Sequence, residues 1–213
     1  DIRLSSLRQV SQYVRFNIEV PRYEMPALEA ADHTAFVLGD RTVLEVPGLT
    51  SLSEGCSIGW GFNSEIKAPQ LRNFVNSGLS LSPGRILTVP AFTNVYGARF
   101  EVSGGRTFGV AATEYDTPAN WTWYGTMFGA DGAGSLLDLS SLRTMRTRYC
   151  HWSGYDYRYK VTGNNNWVVY LSGLESITGP EYSDRLLELT VGTKGSLLLG
   201  PVDVLQYTSL RAM

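Results

Sequence analysis

Residues 155–161 alternate strictly: Tyr155, Tyr157, Tyr159 and Val161 fall on one side of an extended strand, and Asp156, Arg158 and Lys160 on the other. One aromatic side and one charged side suit a half-buried sheet. Similar short runs recur along the chain. Residues 33–38 and 41–46 flank Gly39-Asp40, whose leading glycine suits a tight hairpin. Residues 86–92, 95–102 and 106–113 read as strands, the last two joined across Ser103-Gly104-Gly105. Further strands are expected over 167–171, 185–191, 196–199 and 202–207, with 56–62 a weaker candidate. Helical spacing is scarce. Residues 69–76 read as a short helix ending before Gly78, and Leu136, Leu139 and Leu142 predict another over 136–145. Leu4, Leu7 and Val10 could form one amphipathic turn before Pro21 and Pro26 break the pattern.

Many short strands, few helices and no evident repeat predict an all-β fold: a jelly-roll β-sandwich of two antiparallel sheets. Residues 1–30 read as an extended N-terminal arm, and 31–213 as the jelly-roll domain. The region 114–135, with Trp121, Trp123 and Tyr124 among Gly, Asp and Pro, reads as loop.

Composition agrees with a folded β-protein. The chain has 213 residues, of which 43% are hydrophobic and 12% aromatic, enough to build a core and to exclude overall disorder. A net charge of −2 argues neither for a nucleic-acid binder nor for an acidic tail. The cations are unevenly placed, however. Over 143–160, Arg143, Arg146, Arg148, Arg158 and Lys160 stand against Asp156 alone. Arginine outnumbers lysine fifteen to three, and its planar fork favours interface ion pairs and phosphate contacts. Cys56 and Cys150 are too few for a disulfide scaffold; two reduced thiols of an intracellular product are expected. No apolar run is long enough to cross a bilayer, and no signal-peptide pattern precedes Asp1. The absence of an initial methionine suits a trimmed chain or a product cut from a precursor.

Catalytic chemistry is hard to find. His151 lies beside Cys150, but consecutive strand residues point to opposite faces, so the pair is expected to pack rather than react. Zinc lacks ligands, and no phosphate loop, nucleophile elbow or dinucleotide fingerprint occurs. Glu45, Glu54, Glu65, Glu101, Glu114 and Glu188 could supply a glycosidase pair, but their spacing selects none. Asn120-Trp121-Thr122 is a formal glycosylation triplet. Trp121, Trp123 and Tyr124 suit a loop anchor at an interface or a sugar-stacking platform. No catalytic residue, cofactor or metal is expected.

Two segments carry a family resemblance. Ser6-Leu7-Arg8-Gln9 resembles a segment near the start of capsid proteins of picorna-like viruses of insects and related hosts. Residues 149–160, Tyr-Cys-His-Trp-Ser-Gly-Tyr-Asp-Tyr-Arg-Tyr-Lys, are similar to an aromatic strand pair of those proteins, with 139–145 matching the helix before it. The resemblance implies a non-enzymatic capsid subunit of a virion, assembled in the host cytoplasm with sister capsid proteins into an icosahedral shell around genomic RNA. Arg143, Arg146, Arg148, Arg158 and Lys160 would then contact neighbouring subunits or RNA on the inner face. The alternative function is a carbohydrate-binding β-sandwich that uses Trp121, Trp123 and Tyr124; a glycoside hydrolase ranks behind it.

Overall fold

The computed structural model describes residues 3–118, 125–148, 159–164, 166–181 and 187–212. Among these residues there is no helix, and every strand pair is parallel. The chain winds as a β-solenoid, and a turn lays one short strand on each of three faces, the turn through Asn94 alone having isolated bridges in place of a strand on the first. The first face runs through Gln9–Val10, Ala30–Asp32, Ser51–Ser53 and Asn73–Phe74, then through Glu114–Asp116, Thr144–Arg146, Ser176–Thr178 and Val204–Gln206. The second begins with Arg15–Ile18, Ala35–Leu38 and Ser57–Gly59. It continues through Gly78–Leu81, Arg99–Ser103, Gly125–Asp131, Tyr159–Asn164, Leu187–Val191 and Thr208–Ala212. The third carries Arg22–Glu24, Val43–Glu45, Ser64–Lys67 and Arg85–Thr88, then Thr107–Gly109, Leu136–Asp138, Val168–Leu171 and Ser196–Leu199.

This architecture overturns the antiparallel jelly-roll sandwich. The turn signals were present, but they mark corners and not hairpins. Ala35–Leu38 pairs with Arg15–Ile18 and Ser57–Gly59, while Val43–Glu45 pairs with Arg22–Glu24 and Ser64–Lys67. Gly39-Asp40 therefore joins two faces. Ser103-Gly104-Gly105 does the same between Arg99–Ser103 and Thr107–Gly109. The expected helices also dissolve into strands and corners: Leu136–Asp138 and Thr144–Arg146 are strands, as is Asn73–Phe74. Within residues 1–30, Gln9–Val10 and Arg15–Ile18 are strands that pair with the next turn.

The sequence contains the repeat that this winding needs. Gln9, Ala30, Ser51, Asn73 and Asn94 are partners in successive turns, 21 or 22 residues apart. Each turn repeats an apolar pattern whose side chains stack into interior columns. Leu44, Val46, Leu49 and Leu52 are buried, as are Ile66, Ala68, Leu71 and Phe74 one turn later. Leu137, Leu139, Leu142 and Met145 repeat the pattern, and Val169, Leu171, Leu174 and Ile177 follow. A neutral, close-packed interior thus builds up turn by turn, and each turn depends mainly on its neighbours.

One corner is built the same way in several turns. Leu28, Leu49, Leu71, Leu142 and Leu174 each donate a backbone N–H to the residue three before, at 3.0–3.2 Å. Pro26, Pro47 and Pro69 occupy the second position of such turns, where a fixed φ helps and no N–H is required. Ser5, Ser140 and Ser172 take that place elsewhere. At the other corners buried hydroxyls secure the backbone. Thr34 donates to Asp32 O at 2.7 Å, Ser77 to Val75 O at 2.8 Å, Ser64 to Gly61 O at 2.8 Å and Ser135 to Asp131 O at 2.6 Å. These contacts satisfy polar groups that would be costly to bury alone.

Aromatic packing holds the middle turns. Phe100 lies 5.5–6.1 Å from Phe74, Phe92, Phe108 and Phe128, ring centre to ring centre. Offset and tilted pairs at such distances each add about 0.5–1.5 kcal/mol beyond area burial.

Candidate functional site

Three consecutive turns are longer than the rest. Glu114, Thr144, Ser176 and Val204 are partners at intervals of 28 to 32 residues. The extra residues all enter at one corner, between the first and second faces. They lie between Asp116 and Gly125, between Arg146 and Tyr159, and between Thr178 and Leu187. Trp121, Trp123, Tyr124, Arg158, Asn120, Cys150 and His151 belong to these insertions and lie outside the described residues.

Beside this corner the first face carries a shallow depression of about 280 Å³, lined by Glu114, Asp116, Thr144, Arg146, Ser176 and Thr178. The strands under it are in unshifted register. Glu114, Thr144 and Ser176 form one outward column, and Asp116, Arg146 and Thr178 a second. Alternation explains the pattern: Tyr115, Met145 and Ile177, between the columns, point inward and are buried. Tyr115 stiffens the floor. Its hydroxyl donates to Ala98 O at 3.0 Å, and its ring meets Phe128 edge-on at 4.8 Å. Burial pushes its phenol well above the usual range.

Asp116 is the electrostatic centre. Its side chain is 18% exposed and accepts from two guanidinium groups. Arg148 approaches through Nε at 3.0 Å and Nη2 at 2.6 Å, and Arg146 through Nε at 3.1 Å. Burial alone would raise the Asp116 carboxyl; hydrogen bonds and charge from Arg148 and Arg146 outweigh it and hold the group below the usual carboxylate range. The hydrogen bond and charge of Asp116 in turn raise Arg148. The Arg148 backbone N–H donates to Thr117 Oγ1 at 2.7 Å, which ties the same residue to the corner. Tyr96, half-buried one turn earlier, is close enough for its phenol to act on the Arg148 charge.

The remaining candidates sit apart from this arrangement. Arg143 lies at the proline-type corner, where it donates to Gly173 O at 3.2 Å and stands 3.8 Å from Glu175. Lys160 is on the second face, in register with Glu188. Of the glutamates, Glu45 binds Arg22 at 2.7 Å and Lys67 at 3.2 Å on the third face. Glu54 accepts from Asn76, Glu65 from Thr88 and Glu188 from Thr190. Only Glu114 reaches the depression. His33 lies against Tyr13, ring centres 5.1 Å apart, and Cys56 is a buried free thiol. Among the described residues no group of His, Cys, Asp and Glu is arranged to hold a metal ion. Sequence reasoning missed Tyr96, Asp116, Thr144, Ser176 and Thr178. Their shared signal is equal phase in successive repeats, visible only once the repeat is aligned.

The depression offers the guanidinium of Arg146, the carboxylates of Glu114 and Asp116, and hydroxyls that give and accept in Thr144, Ser176 and Thr178, while Arg148 borders it through its bonds to Asp116. The four charges cancel. Such a surface can hold a neutral ligand rich in hydroxyls, but gives an anion little to neutralise. Compared with protein-family models, curated proteins and solved structures, the chain matches none.

Proposed function

We propose that the protein is a non-catalytic carbohydrate-binding β-solenoid whose site is the depression on the first face. The observation that carries this reading is the balanced set of donors, acceptors and hydroxyls spanning three turns. Sugar hydroxyls give and accept hydrogen bonds at once and need such a mixture. The shell-subunit expectation rested on the resemblance of two segments, and the jelly roll that it implied is replaced here by a parallel solenoid.

A glycan array carrying neutral and acidic oligosaccharides tests the reading, followed by calorimetry on the strongest class. Neutral glycans should bind, and Arg148→Ala should weaken them about tenfold or more, the loss of roughly 1.4 kcal/mol or more. Circular dichroism should show the variant's fold unchanged. Absence of binding to any glycan, or an Arg148→Ala variant that binds like the parent, overturns it.

A further inference from the structure

We infer that the ligand is an extended, neutral glycan chain lying along the solenoid axis, one sugar per turn, with three consecutive subsites at residues 114–116, 144–146 and 176–178. The inference rests on the carbohydrate reading above and specifies what that site takes. Its basis is the direction in which the polar groups repeat. Along a strand, only alternate residues face outward, about 6.6–7 Å apart. Across turns, equivalent residues recur at the interstrand spacing of about 4.7–4.9 Å. In this depression the register is unshifted, so Glu114, Thr144 and Ser176 form a row parallel to the axis, and Asp116, Arg146 and Thr178 a second.

A pyranose ring in an extended chain advances by close to one such spacing. Successive rings would therefore meet successive turns in phase. The lower subsite offers the carboxylates Glu114 and Asp116, the middle one Thr144 and Arg146, and the upper one Ser176 and Thr178. Each provides a polar group in both rows. The rows end where the lining ends: the next turn places exposed Val204 in the first row and Gln206 in the second. Cancelling charge selects neutral sugars, because Asp116 already occupies both guanidinium groups and Glu114 would repel an acidic ring.

The test is a length series measured by calorimetry: cello-, xylo- and manno-oligosaccharides, each from monosaccharide to hexasaccharide. Affinity should rise by about tenfold or more from the monosaccharide to the trisaccharide of the preferred series, and then level off. Thr144 is exposed in the middle row, so Thr144→Arg should fold normally. It should abolish the rise in affinity from monosaccharide to trisaccharide while keeping the parent's far-ultraviolet circular dichroism spectrum. Equal affinity for monosaccharide and trisaccharide overturns the axial arrangement but leaves sugar binding standing, as does a Thr144→Arg variant with the parent's length dependence. Failure of every oligosaccharide to bind overturns both.

Discussion

Gly163 should not tolerate alanine. It faces inward on the second face, in register with Ala130 and Val191. A Cβ there would stand 1.7 Å from Cε2 and 1.8 Å from Cδ2 of Trp167, which is 1% exposed. One turn on, a Cβ at Gly195 would lie 2.3 Å from Nε1 of the same indole, so the ring is held between two glycines. Carbon atoms in contact sit about 3.5–4.0 Å apart, so either the backbone or the indole must move by about 2 Å. Overpacking commonly costs about 1–3 kcal/mol, and expelling a buried tryptophan about 3–5. The expected loss is therefore about 2–4 kcal/mol. The sign is diagnostic, because where space allows, alanine in place of glycine stabilises by about 0.4–1 kcal/mol. Urea unfolding followed by far-ultraviolet circular dichroism reads the change. Trp167→Leu makes room, so the double variant should be more stable than the sum of single losses predicts, by about 1 kcal/mol or more. A Gly163→Ala protein within about 0.5 kcal/mol of the parent, or strict additivity, would refute the argument.

Two further outcomes follow from the packing and the charges. Phe100→Ala removes the ring shared by four phenylalanines and should cost about 3–5 kcal/mol in urea unfolding, whereas Phe100→Leu should cost less than half of that. Loss below about 1 kcal/mol for the alanine variant would show that the cluster collapses around the gap. The Asp116 and Glu45 carboxyls are both held below their ordinary range, Asp116 by Arg148 and Arg146 against burial, Glu45 first by Lys67 and then by Arg22. A carboxyl depressed in the folded state contributes stability that is present above its unfolded value, about 4, and is lost as pH falls through the folded one. Thermal midpoints should thus hold above about pH 5 and fall below about pH 4, less steeply in Asp116→Asn and Glu45→Gln. Identical slopes in parent and variants would contradict the assignment.

The all-β class was legible in the short apolar runs, because two-residue alternation reports extended chain whatever its partner. Strand direction was not. A glycine-rich pair such as Gly39-Asp40 reverses a hairpin or rounds a solenoid corner with the same local chemistry, and only the partners tell the cases apart. The repeat itself was within reach. Leu4-Ser5-Ser6-Leu7-Arg8-Gln9-Val10 and Leu139-Ser140-Ser141-Leu142-Arg143-Thr144-Met145 differ at two positions and form the same corner of different turns. Leucines spaced by three, which read as helix, are the residues on either side of that corner. Both stretches also carried the capsid resemblance, so part of that likeness is a likeness of the chain to itself. What hid the period was its drift from 21 residues to as many as 32 where the insertions enter. The site was illegible for a related reason. Glu114, Thr144 and Ser176 are scattered in sequence and become neighbours only when the turns are stacked in register.

The widening of three turns at a single corner has a consequence for how such a molecule can diversify. Doubling the length of a connection costs about 0.6 kcal/mol of closure entropy, against several for one missing column residue. Selection can therefore lengthen, shorten or rewrite that edge freely while the interior stays under tight constraint. Sequence drift should concentrate there, and a foreign peptide spliced at that position should leave the frame intact. The solenoid resembles a rack with one open side, on which recognition surfaces can be exchanged one shelf at a time.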